Sequence, residues 1–460
     1  MMRNVIVNEL KGFFRSRLFL LLSVVFSVSL FVTTLLGILQ NKNLIQTQKD
    51  AKEHVRKQWD EMGTSNPHRA AHFGSYAFKE STILNSIDEG VNSVTGNVLR
   101  LEGHKQNDVM FSEASQSLMI SKLGKLKPSL IFQFLIPLFL IFLSFNSYSK
   151  ERESGRLKLL LVQGISLKKL VFAKIYSIWL IGFCLLFITL IIQFIFNSSL
   201  LDSDTIFRLI LLIISYNIYY LIIINLSVAV SLLFKNSTSA LSLTIVVWFM
   251  WSVFFPKIIG NTLESMHPLP TRVEFQESMT EDRKKGIDGH SPMDDHVEEL
   301  KKATLAKYNV DSLSQLPINF RGIIMQADEE YGNMVWDKHF GNLYGQLSSQ
   351  KQKYQISGFL NPFSSLQNLS MGFSGTDMYH HLNFLSQGEK YRRDFIKILN
   401  EKFTETYSAD ASFYKSINDF DYQVPYLSTF FWKYIIDIIA LLFWFFLSFL
   451  MINLFTKNNS

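Results

Sequence analysis

His68 and His72 stand four residues apart in the stretch HRAAH. On a helix that spacing puts both imidazoles on one face, and imidazole nitrogens are ligands for zinc and copper. Pro67, just ahead of them, suits the start of a helix. His104 could complete a site, as could His380 or His381, if their segments pack together. Adjacent helical residues point about 100° apart, so His380 and His381 cannot easily share one ion. A plainer reading competes with the metal: the histidines are hydrogen-bonding groups that tie segments of one domain. No HExxH motif or cysteine cluster adds weight to the metal. Lys433 and Asp437 form a second constellation, i and i+4 inside an apolar run, where an intramembrane ion pair is expected. It lies at shallow depth, where lysine can snorkel and the pair can be structural. A third constellation is the charged stretch SKERESGRLKLLLVQGISLKKLVFAK, residues 149–174, set between two apolar runs. Leu157, Leu160 and Leu161 follow i, i+3, i+4, which makes one apolar stripe on a short helix. Gly155 and Gly164 break the segment at either side. Such a stripe wants a protein groove or a lipid surface.

The elements that carry these groups are legible from composition and hydropathy. The chain has 460 residues, 48% hydrophobic and 18% charged, against about 25% charged in soluble domains. Six runs match the roughly 20 apolar residues needed to cross a bilayer as a helix: 18–39, 128–147, 170–196, 206–234, 237–255 and 430–455. The fifth is the shortest and ends at Pro256. Lys and Arg set the orientation. Arg3, Lys11, Arg15 and Arg17 precede the first run. Lys150, Arg152, Arg156, Lys158, Lys168 and Lys169 crowd the segment 148–169. The link between the third and fourth runs carries only Asp202 and Asp204. Both termini are therefore expected in the cytoplasm, and the loops 40–127 and 261–428 outside. All ten histidines fall in these two loops, which make up more than half of the chain. The first run is long and lacks a small-residue cleavage site, which favours a retained helix over a signal peptide. Residues 1–17, with Ile6, Leu10, Phe13 and Phe14 at helical spacing, read as an elbow helix on the inner surface. Cys184 is the one cysteine, so no intrachain disulfide forms. The expected fold is an all-α membrane protein with six transmembrane helices, the elbow helix and a large, mainly helical extracytoplasmic domain built from two loops.

The stretch ERESGRLKLLLVQGIS resembles the signature of permeases of ABC exporters of the second type. The match rests on Glu151, Arg152, Glu153, Gly155, Leu157, Leu160, Leu161, Gly164 and Ser166. Arg156 departs from it, where the family usually has Thr. In that family the segment contains the coupling helix, which docks on a separate ATPase. NPHRAAHFGSYAFK, LEGHKQND, LPINFRGI and the stretch 361–393 are similar to a subgroup with a large periplasmic domain of unknown function. The membrane core is also distantly similar to the permease of nitrous-oxide-reductase maturation. The resemblance implies a bacterial inner-membrane location and an ABC ATPase subunit that binds ATP and Mg. It also implies a second permease, either the same chain or a paralogue.

No G-x-x-x-x-G-K-[ST] phosphate loop occurs in the chain. It is therefore expected to hold no nucleotide cofactor and to be no enzyme itself. Membrane lipid and a periplasmic or outer-membrane protein are the other partners to expect; nucleic acid is not. Two functions stand. One is export or extraction of a substrate. The other is mechanotransmission, in which ATP-driven motion acts on a periplasmic partner without translocation. A periplasmic metal hydrolase is the weakest alternative, because no paired base and nucleophile can be picked out.

Overall fold

A computed structural model describes residues 2–107, 126–164, 166–198, 201–288 and 294–458. Among them six helices are long and apolar enough to cross a membrane: Arg17–Asp60, Pro128–Glu153, Leu167–Asn197, Ser203–Leu233, Ser237–Met266 and Leu427–Lys457. Outside the spans the first helix is α1 (Met2–Arg15). It ends one residue before Ser16, whose side chain caps the first span by accepting from the Phe19 N–H at 3.3 Å.

Two spans run well past their expected bounds. The first runs on as one 44-residue helix to Asp60, about 30 Å beyond residue 39 at 1.5 Å per residue. The fifth passes through Pro256 and ends at Met266. Proline lacks an N–H and crowds the carbonyl four residues back. The span relieves this with a π turn over Met250–Phe254, just before the proline. The second span does the same with a π turn at Ile131–Leu135 ahead of Pro137. In the fifth span alone, the proline therefore read as the end of a helix that in fact continues to Met266.

The rest is built from α2 (Pro67–Phe73), α3 (Arg156–Val162), α4 (Arg272–Arg283), α5 (Asp295–Tyr308), α6 (Phe320–Ile356), α7 (Pro362–Ser374), α8 (Met378–Glu405) and α9 (Ala411–Ser416). One antiparallel hairpin, β1 (Ser75–Phe78) with β2 (Val98–Leu101), pairs Ser75 with Leu101. The two large loops form one body. Trp59 at the end of the first span packs with Ala70 and Ala71 of α2, Phe395 and Leu399 of α8, and Tyr414 of α9. Its indole N–H donates to the Tyr414 carbonyl at 2.8 Å. The hairpin lies on α8, where a Cβ on Gly388 would come within 3.0 Å of Leu99. That glycine permits a close approach, and α8 runs through it unbroken.

α7 lies within the stretch expected to be wholly extracytoplasmic, yet it packs among the spans. Phe363, Leu366, Leu369 and Phe373 share the main core cluster with Tyr219, Tyr220, Phe430 and Tyr434. Its serines and Asn368 are buried too, and Asn368 donates to Asp437 of the sixth span at 3.0 Å.

Candidate functional site

Two places gather the residues singled out above, one at each end of the bundle. At the first, α3 follows the second span through Gly155, whose φ is +72°. Glycine reaches that left-handed region without steric cost, and the chain turns there. Glu151 links three elements. Its carboxylate accepts from Lys174 of the third span at 3.1 Å, and Lys174 also meets Glu9 of α1 at 3.1 Å. Glu153 accepts from the backbone N–H of Ser237 at 2.7 Å and from its hydroxyl at 3.0 Å, which ties it to the first turn of the fifth span. The backbone N–H groups of Tyr148 and Ser149 both donate to Ser231 of the fourth span at 3.1 Å. Arg152 lies over the Tyr148 ring at 4.6 Å. The segment is thus bolted to three spans and to the elbow helix. Glu9, Lys174, Ser231 and Ser237 were not singled out from the sequence, because each lies far along the chain from the motif.

The leucine stripe needs correction. Leu157 is buried in the main core and Leu161 packs against it. The apolar side chains left exposed on α3 are Leu159 and Val162. The side chain of Leu160 and the whole of Ile165 lie outside the described residues. Gly164, at φ +81°, closes the segment, and Ser166 caps the third span through the Lys169 N–H at 3.4 Å. The reason is elementary: i, i+3, i+4 marks one face of a helix, and a helix lying on its own bundle turns that face inward.

Lys433 and Asp437 do not pair. Lys433 lies over the Tyr379 ring, its Nζ 4.6 Å from the centroid. Asp437 is fully buried and accepts from Gln355 at 2.6 Å and from Asn368 at 3.0 Å. The i, i+4 rule assumes an α-helix. Phe431–Tyr434 is a 3₁₀ turn, with three residues per turn, and it rotates Lys433 away.

At the other end, α2 begins at Pro67 with Asn66 as its cap, accepting from the His68 N–H at 2.8 Å. Its one face carries His68 and His72, whose Nε2 atoms are 3.2 Å apart. His104 follows β2 and joins them. The ring centroids are separated by 4.6 Å for His68–His72, 5.3 Å for His68–His104 and 5.2 Å for His72–His104. One ring nitrogen from each of the three lies within 4.8 Å of the others. His104 Nδ1 is 2.8 Å from the Asp328 carboxylate and 3.2 Å from that of Glu329, both on α6. Its backbone N–H also donates to Glu329. Arg283 of α4 holds Asp328 at 2.5 Å, and Arg392 of α8 holds Glu329 at 3.0 Å. Asp328 and Glu329 were not singled out from the sequence, because nothing in the spacing tied them to His104. His380 and His381 lie elsewhere. His380 Nδ1 is 2.7 Å from Asp377. Asp377 caps α8, accepting from the His380 N–H at 3.2 Å.

The comparisons with known proteins bear on both ends. The model of the ABC-2 family transporter protein matches residues 37–273, just over half of the chain. A domain of unknown function (DUF3526) matches residues 272–423. The boundary falls at the start of α4. No curated protein matches. These matches do not extend to the permease of nitrous-oxide-reductase maturation.

Proposed function

The chain belongs to the ABC-2 family of transporter proteins and is a multi-pass membrane permease subunit of an ABC transporter, and we propose that residues 148–164 are where a separate ATPase subunit drives it. Membership implies an ABC ATPase partner and an oligomer. In our reading the chain sits in a bacterial inner membrane with both termini cytoplasmic. It pairs with itself or a paralogue, and ATP with Mg is hydrolysed in the partner subunit. The work is export or extraction of a substrate.

One observation carries the reading. Leu159 is 65% and Val162 87% exposed on a helix whose flanks are tied to three spans. Apolar groups displayed on a rigid mount at the basic end of the bundle suit a protein groove. Tilting that mount would move the third, fourth and fifth spans together through Glu151, Ser149 and Glu153. The Leu159→Asp/Val162→Asp double variant should insert normally yet lose its ATPase. Two apolar anchors at roughly 1.5 kcal/mol or more each amount to at least a hundredfold in affinity. Wild-type copurification and wild-type stimulation of ATP hydrolysis by the double variant would refute the docking role.

A second reading, mechanotransmission to a periplasmic partner, draws on two other features. The first span is one continuous helix from the bundle into the large domain, and α7 ties that domain back among the spans. A Gly-Gly-Ser-Gly insertion after Gln46 would make that rod flexible. Mechanotransmission requires ATP hydrolysis to persist while function in cells is lost. Retention of both would leave translocation as the better account.

A further inference from the structure

We propose that His68, His72 and His104 bind a divalent transition-metal ion of the zinc and copper class, held at the seam between the two matched regions. The inference stands apart from the coupling role and would survive its failure.

The geometry is close to that of a three-histidine centre. Imidazole binds zinc at about 2.0–2.1 Å, and a tetrahedral arrangement then sets ligand nitrogens about 3.3 Å and ring centroids about 5 Å apart. The His68 and His72 nitrogens are already 3.2 Å apart, and the three centroid distances run from 4.6 to 5.3 Å. The other pairs of nitrogens, within 4.8 Å, need to close by at most about 1.5 Å to reach that spacing, which ring rotations can supply.

The surroundings are those of a supported ligand. In metal centres a ligating histidine commonly gives its other ring N–H to a carboxylate, which fixes the tautomer and makes the free nitrogen more basic. His104 Nδ1 meets Asp328 at 2.8 Å, which directs Nε2 to the ion. Asp328 and Glu329 are in turn held by Arg283 and Arg392. His68 is ordered by the Phe403 ring, stacked at 5.8 Å. His104 has φ +60°, a left-handed conformation uncommon outside glycine. Such backbone persists where its surroundings hold it, and here Glu329 anchors its N–H. A cleft of about 640 Å³, lined in part by His104, Gln106 and Arg272, gives an entry path.

All three ligands come from the region matched to the transporter family, while Asp328 and Glu329 come from the domain of unknown function. An ion here would clamp α2 and the end of β2 and, through His104, fix them against α6. Imidazole ligands suit Zn²⁺ and, by the general order of divalent affinities, Cu²⁺ still more.

The test uses full-length protein without a histidine tag, stripped with chelator and titrated with Zn²⁺ alone, then with Cu²⁺ alone. Elemental analysis and calorimetry should give one ion per chain, and Zn²⁺ should raise the unfolding temperature. His72→Ala removes an exposed ligand and should weaken binding at least a hundredfold while the metal-free protein unfolds as wild type. Asp328→Asn keeps all three ligands and should weaken binding about 10–100-fold. His54→Ala, on the exposed face of the first-span extension, should bind as wild type. The proposal fails if wild-type protein takes up no ion, or if His72→Ala and Asp328→Asn both bind as wild type. It also fails if His54→Ala loses binding equally, which would mark general adsorption. If His72→Ala does not fold, wild-type stoichiometry with the Asp328→Asn titration decides the matter.

Discussion

Asp377 and His381 lie one turn apart at the start of α8, and burial acts on both. Burial pushes the Asp377 carboxyl up, but Lys351 and His380 more than reverse this and hold it well below the usual carboxylate range. Tyr434 donates to the same carboxylate at 2.6 Å, and Lys351 donates as well. Asp377→Asn would leave Lys351 half-buried without its partner, at a cost of about 3 kcal/mol. Thermal unfolding in detergent, followed by tryptophan fluorescence, should show a drop of several degrees. For His381, burial and the nearby Lys79 lower the folded pKa to about 4. The unfolded side chain titrates near 6.5. Between those values the unfolded chain binds a proton that the folded chain refuses, so stability falls as pH drops from about 6.5 to 4. The loss approaches 3 kcal/mol at the lower end. In His381→Gln that part of the slope should vanish, which an unfolding series at pH 7, 6, 5 and 4 would reveal.

Elements supply the stiffness that coupling requires. α3 hangs from the second span by Gly155, where a Cβ would meet nothing within 4 Å. Gly155→Ala therefore creates no clash and costs only the left-handed strain, about 1–2 kcal/mol. We expect the variant to insert and keep its global stability, while stimulation of the partner's ATP hydrolysis falls several-fold as α3 is re-aimed. Gly155→Asn, which tolerates the left-handed region better, should recover part of it. At the hairpin the opposite holds. Gly388→Val would drive a side chain into Leu99, part the strands from α8, and destabilise the large domain by about 1–3 kcal/mol. Limited proteolysis should then cut near residues 74–98 while the spans stay intact.

For the whole molecule, the charge pattern and the packing agree on two ends. α1 and the ends of the second, third and fifth spans meet through Lys174, Glu151 and Glu153 at one. At the other, the first-span extension, the hairpin and α8 form the large domain. In a Cys184→Ser background, Thr64→Cys should react with an impermeant thiol reagent in intact spheroplasts. Ser154→Cys should react only after lysis. The reverse pattern would invert the orientation and place the coupling face away from ATP.

Hydropathy alone determined that this is a six-span helical membrane protein, because a bilayer's thickness fixes a length of apolar helix that composition displays directly. The motif at Glu151–Gly164 and the His68–His72 pair were equally legible, since both are local and a helix turns spacing into a shared face. Folding decided what those patterns could not express. Whether Leu157 or Leu159 faces outward depends on which side of a short helix meets the bundle. Whether Lys433 reaches Asp437 depends on a 3₁₀ turn, and whether Pro256 ends a helix depends on a π turn that accommodates it. His104 joins His68 and His72, and finds Asp328 more than two hundred residues away, only because α2, the hairpin and α6 pack together. Contacts of that kind arise from burial summed over whole elements, and no window of sequence contains them.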